Sequence, residues 1–453
     1  MINLLTYLIS LFIGFFTIRL ILRNQPQISG LLILCLSLGL GLGISASITF
    51  YSFFIFREFN QTAILTINIA TLLSLFITNI FYFSSPENKI ETENQLPKIN
   101  NKFWITAFIA WGVAIIGISI LSQQYPSGGW DAWGLYNMKA KFLVFGSERW
   151  ADFAKAHWHT QPSYPILLPL INTWIYSVFQ SGIVKAASLT SIIFSATCGL
   201  LIYSGLSQFI KKWVALLASV LLMTTPSYIF WSTTQYADIV LAYFLLSSVI
   251  LLTLTMKTKN HRFSLLTGLF LGLMPFAKNE GIVMLFLLIG LTIGYLFLNK
   301  NIDPDKRLKI IKFLLIGFAC TGAATIIFKI FLAPSTREVL FNPLTKNLEF
   351  CNLNGLLTTV GFYGSELTDK KWNFIWIFIF LLGIFKPKNL IQNENKIFSI
   401  FFVLFGFILL YVYLTTAHFD LTWRLECTAS RIILYLLPTA LFVSFYSFWQ
   451  EKS

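Results

Sequence analysis

The chain has 453 residues, of which 56% are hydrophobic, 17% aromatic and 11% charged. Soluble domains carry about 45–50% apolar and about 25% charged residues, so this composition excludes a soluble globular protein. The net charge of +14 does not mark a nucleic-acid binder, because no dense basic stripe accompanies a soluble fold, and in a membrane chain lysine and arginine mark cytoplasmic loops.

Apolar runs of roughly 17–25 residues are long enough to cross a bilayer. In chain order they predict an all-α polytopic membrane protein with about thirteen spans. These are 2–22, 29–53, 62–82, 103–122, 184–206, 213–230, 238–256, 263–277, 280–298, 310–332, 372–386, 397–416 and 432–449. The first run, MINLLTYLISLFIGFF, lacks the basic leader and small-residue cleavage site of a signal peptide and reads as a permanent span. Short basic loops at Arg19/Arg23, Lys211/Lys212, Lys257/Lys259/Arg262, Lys300–Lys312 and Lys386/Lys388/Lys396 alternate with less basic ones. The positive-inside rule then puts the N-terminus outside and the C-terminus in the cytoplasm. PILLPLINTWIYSVF (165–179) is short and carries Pro165 and Pro169. It reads as a re-entrant or interfacial helix; a true crossing is the alternative and would invert every later loop. The polar stretch 83–102 separates accessory helices (1–82) from a core (103–300) and a C-terminal part (301–453).

The opposite loops, 123–164, 231–237, 277–280, 333–371 and 417–431, hold most of the unusual polar residues. Ionisable groups at membrane depth are expensive unless paired or functional, so their gathering on one face predicts one site there. In SGGWDAWGLYN (127–137), Asp131 reads either as a helix N-cap or as a carboxylate able to take a proton from a substrate hydroxyl. His157 and His159, two apart, have no carboxylate at ligand spacing, and polar contact competes with a metal role. Asp238 opens a span and again reads as a cap or a site acid. Lys278 and Glu280 form either a turn ion pair or a cation held for a phosphate. Arg424 and Arg431 lie two helical turns apart, which lets both face one pocket, with snorkelling as the alternative. The five cysteines show no metal-ligand spacing.

Asp131 after its span, the His159–Gln161–Pro162–Tyr164–Pro165 stretch, Asp238 in YADIVLAYF, KNEG (278–281) and WRLECTASR together resemble the GT-C superfamily of integral-membrane glycosyltransferases. That class includes dolichyl-phosphate-mannose-dependent mannosyltransferases and bacterial aminoarabinose transferases, and the chain is most similar to bacterial members of undefined substrate. The resemblance covers about 103–300 and 417–449. It implies a polyprenyl-phosphate-linked sugar donor, a lipid or glycan acceptor, and a site on the exoplasmic face of the plasma (inner) membrane. Asp131 would be the base and Asp238 a second catalytic acid. His159, Lys278, Glu280, Arg424 and Arg431 are the candidates for binding substrate. The first acidic motif is WDAW rather than a paired DE or DD, so no metal ligand is assigned and a divalent cation (Mg or Mn) stays an open option. Three helices precede the usual first span. A lipid-linked oligosaccharide flippase, or a polymerase using the long 333–371 loop, are the alternatives.

Overall fold

The computed structural model describes residues 4–23, 28–83, 101–155, 161–179, 182–334, 353–415 and 420–450. Among them there are helices and no strand. In chain order the helices are α1 (Leu4–Ile21), α2 (Gly30–Phe56), α3 (Gln61–Phe83), α4 (Asn101–Gln124), α5 (Asn137–Phe145), α6 (Leu167–Phe179), α7 (Ile183–Leu206), α8 (Lys212–Met223) and α9 (Pro226–Thr233). They continue as α10 (Ala237–Thr258), α11 (His261–Ala277), α12 (Glu280–Leu298), α13 (Pro304–Phe331), α14 (Leu353–Thr368), α15 (Ile375–Phe385), α16 (Pro387–Leu390), α17 (Asn395–Thr415) and α18 (Leu421–Trp449).

Ten of these helices are long and apolar enough to cross a membrane. The chain is therefore a multi-pass membrane protein, with fewer full-length spans than the thirteen expected. The expected span 213–230 is a broken pair, α8 and α9, bent by 61°. Pro226 opens α9, and Thr225 before it is extended, as the residue preceding a proline is forced to be. The pair makes an eleventh crossing if it counts as one. The run at 372–386 forms a helix of 11 residues, shorter than a full span requires, while the run at 263–277 forms one of 17 residues, at the lower limit of spanning length.

The 165–179 segment becomes α6, 13 residues long and so about 20 Å, well short of a hydrocarbon core of about 30 Å. Leu167, Leu168, Leu170, Ile171, Trp174 and Ile175 are all buried. The helix packs on α2, α5 and α7, so protein rather than lipid surrounds its backbone, as a short segment at membrane depth requires.

The centre of the bundle is α10, buried from Ala237 to Met256. A helix that is apolar on all sides belongs in a core, and α7, α11 and α18 cover it. The helices α10 and α18 run in the same direction. Asp238 meets Arg431 at one end, while Lys257 at the other end pairs with Glu394, which also accepts from Tyr446. The first two helices are tied into this core by buried polar contacts: Tyr243 Oη donates to Cys35 O at 2.6 Å and accepts from Gly39 N at 3.2 Å, and Trp174 Nε1 donates to Ser10 Oγ at 2.9 Å.

Candidate active site

The site begins where α4 ends. Gly128 has φ +70°, a left-handed conformation that glycine adopts without cost. A Cβ on Gly129 would stand 2.4 Å from Tyr236 Oη, and Gly129 N donates to Thr234 O at 3.0 Å. The two glycines thus turn the chain tightly and press it against the loop before α10. Gln235 completes the seam, donating to Pro126 O at 2.9 Å and accepting from Asn137 Nδ2 at 3.1 Å. Trp130 and Trp133 are exposed and meet edge to face at 4.3 Å.

Asp131 follows this turn, at the head of a π-helical segment, Ala132–Tyr136. Its carboxylate makes no capping hydrogen bond. Instead Oδ2 accepts from Arg431 Nη1 at 2.6 Å, and the Asp131 N–H donates to Tyr236 Oη at 3.2 Å. The cap reading is therefore replaced by an ion pair with a distant helix.

Asp238 lies in the first turn of α10, where the helix dipole favours a negative charge. Oδ1 accepts from Lys278 Nζ at 2.9 Å, and Oδ2 accepts from Arg431 Nη2 at 2.9 Å and Nε at 3.3 Å. Lys278 stands between α11 and α12, and its ammonium also pairs with Glu280 Oε1 at 2.9 Å. Burial pulls the Lys278 pKa down, but the charges of Asp238 and Glu280 outweigh it and hold the pKa above the ordinary lysine value. Gly281 makes this junction possible, because a Cβ there would lie 2.3 Å from Met274 O. Arg431 sits over the Tyr236 ring at 4.6 Å and Lys278 over the Tyr435 ring at 5.3 Å.

Five of the seven expected site residues thus form one chain of ion pairs: Asp131, Arg431, Asp238, Lys278 and Glu280. Arg424 does not join it. Its Nη2 donates to Tyr413 O at 2.8 Å, toward the end of α17. His159 lies outside the described residues, as do His157 and His418. Asp420 is the N-cap of α18, accepting from Trp423 N at 3.0 Å, and Glu426 is exposed.

Several residues that the sequence does not flag stand at the same place. Tyr136 and Tyr435 are fully buried, and their hydroxyls have no hydrogen-bond partner among the described residues. Burial, and then the charge of Asp238, push the Tyr136 pKa well above 10, so its hydroxyl stays a donor. A π segment, in which Asn137 N donates to Ala132 O, separates Asp131 at its head from Tyr136 at its end, and the charges of Asp238, Arg431 and Asp131 all act on Tyr136; such segments recur at functional sites and carry no sequence signature. Two lysines hold the neighbouring 161–164 turn: Lys139 Nζ donates to Gln161 O at 2.8 Å and Tyr164 O at 2.9 Å, and Lys329 Nζ donates to Ser163 O and Asn279 Oδ1, both at 2.7 Å.

A divalent cation does not fit this arrangement. Both central carboxylates already hold cationic side chains, and no group of three or more His, Cys, Asp or Glu among the described residues is placed to ligate a metal.

A comparison with curated proteins finds no match. Residues 163–327, which contain Asp238, Lys278 and Glu280, are similar to the family described as dolichyl-phosphate-mannose-protein mannosyltransferase, and the match spans less than half of the chain.

Proposed function

We propose that the protein transfers a sugar from a polyprenyl-phosphate donor to an acceptor hydroxyl on the exoplasmic face, inverting the anomeric centre in one displacement. The observation that carries this reading is Arg431, one guanidinium shared by two carboxylates of different exposure. The Asp131 side chain is 28% exposed and that of Asp238 only 1%. Asp238 is the anchor that holds Arg431 and Lys278. Asp131 commits one oxygen to Arg431 and has a second for the acceptor.

The chemistry balances on these groups. The acceptor oxygen attacks the anomeric carbon, the carbon–oxygen bond to phosphate breaks with its electron pair going to the phosphate, and the hydroxyl proton passes to Asp131. As Asp131 is neutralised its hold on Arg431 weakens. At the same moment the phosphate gains charge, and Arg431, still fixed by Asp238, presents Nη1 to it. Lys278 adds a second fixed positive charge, and the Tyr136 and Tyr435 hydroxyls are spare donors. Residues 103–300 together with α18 supply all of these groups, with 1–82 as accessory helices.

The test is incubation of purified protein with a panel of polyprenyl-phosphate sugars, scoring donor-dependent transfer and the anomer formed. One donor is expected to support inverting transfer, and Asp131→Asn to lower it by about 10²–10⁴-fold while the protein stays folded and inserted. Undiminished transfer by that variant removes the base assignment. Absence of transfer, with movement of the lipid-linked sugar across a reconstituted bilayer, supports transport instead.

A further inference from the structure

At the other end of α18 lies a cavity of about 670 Å³ that the proposed chemistry does not use. Lys211, Trp213, Lys386, Phe448 and Trp449 line it, and none of its lining residues is acidic. Arg431 and Trp449 are separated by 18 residues of one helix, about 27 Å, close to the thickness of a hydrocarbon core. The helices α7 and α18 both end at this rim, so it sits at the level of lipid headgroups.

We infer that this cavity binds the phosphate headgroup of an anionic membrane lipid, on the face opposite the ion-pair site. Among the described residues that line it, Lys211 and Lys386 are the charged ones, and they give the lining a net positive charge. Basic pockets between membrane helices on the lysine-rich side suit such headgroups. The helix α8 starts here, with Lys211 as its N-cap, so the positive end of its dipole adds to the field. The C-terminal dipoles of α7 and α18 oppose it; at α18 two carbonyls are already satisfied, because Lys386 Nζ donates to Phe448 O at 2.7 Å and Asn389 Nδ2 to Ser447 O at 2.8 Å. The rings of Trp213, Phe448 and Trp449 favour a lipid over free phosphate, since they offer an apolar wall to the glycerol and first acyl carbons. The inference stands apart from the reaction proposed above.

The experiment compares lipid retention by the full-length protein in detergent, read by native mass spectrometry, for phosphatidylglycerol and phosphatidylcholine, with and without inorganic phosphate. Wild type is expected to keep phosphatidylglycerol selectively. Each lysine near an anionic headgroup contributes about fivefold in affinity, so Lys211→Gln should weaken retention about fivefold and Lys211→Gln/Lys386→Gln about 25-fold. Lys396→Gln makes the same charge change on this face outside the cavity and should leave retention unchanged. Lys211 is exposed and its side chain makes no capping hydrogen bond, so the single variant keeps the test valid if the double variant is unstable. Equal retention of the two lipids, an equal loss in Lys396→Gln, or release of the lipid by millimolar inorganic phosphate overturns the inference.

Discussion

Arg431 reaches two carboxylates through three nitrogens, and the two carboxylates respond differently to neutralisation. Asp238→Asn leaves Arg431 and Lys278 in a buried site without their shared counter-charge. Breaking such a buried pair costs about 3–5 kcal/mol, so the variant should show a clearly lowered midpoint of thermal unfolding. Asp131→Asn leaves Arg431 paired with Asp238, and its unfolding midpoint should stay near wild type. A thermal scan of both variants in detergent checks this. Equal destabilisation would show that Asp131 is a structural partner as much as Asp238 is. That the two acids belong together was legible in the sequence as a shared face; which of them is held and which is offered was not, because exposure depends on how α10 is enclosed.

At the scale of elements, the junctions that shape the site are fixed by close packing and by buried lysines. A Cβ at Gly281 would enter the Met274 carbonyl, and overpacking of this kind costs about 1–3 kcal/mol. Gly281→Ala should therefore lower the unfolding midpoint and, by moving Lys278, reduce transfer together with it; retained stability would mean that the α11–α12 turn relaxes freely. Lys139 is fully buried, and burial followed by the neighbouring charge of Lys329 depresses its pKa well below the ordinary value. Its two carbonyl acceptors match a neutral amine, which has two N–H donors. Because the folded-state pKa lies below the unfolded one, the unfolded chain holds the extra proton between them, and stability rises with pH across that window up to about 10.4. The difference in unfolding midpoint between wild type and Lys139→Met should grow as pH is raised toward that limit. A difference independent of pH would count against a depressed pKa. Nothing in the sequence singles out Lys139, since a lysine in AWGLYNMKAKFLVF resembles any lysine of an interfacial helix; its hydrogen bonds to the 161–164 turn are what distinguish it.

For the whole molecule, the basic loops and the ion-pair site are expected on opposite sides of the membrane. Single cysteines placed at the exposed positions Ser147 and Asn393 in a cysteine-free background test this with an impermeant maleimide on intact cells. The Ser147→Cys variant should label from outside, and Asn393→Cys only after the membrane is opened. Labelling of both from one side would reverse or break the proposed topology. The count of spans was the less legible part of the fold. Hydropathy registers apolar length and is indifferent to a 61° bend after Thr225 or to a helix of 11 residues at Ile375–Phe385. Segments whose apolar runs were long and uninterrupted, such as Ala237–Thr258, matched closely.

By itself the sequence determined that the chain lives in a membrane and is helical, and it led to the expectation that Asp131, Asp238, Lys278, Glu280 and Arg431 share the span ends opposite the basic loops. Those properties follow from side-chain transfer costs, which are local and additive along the chain. Tertiary structure alone decided which ionisable groups meet. Arg431 faces inward to two acids while Arg424, two turns away on the same helix, bonds to Tyr413 O. These pairings depend on how α18 is rotated against a buried α10, and helix rotation is set by packing that no single segment contains.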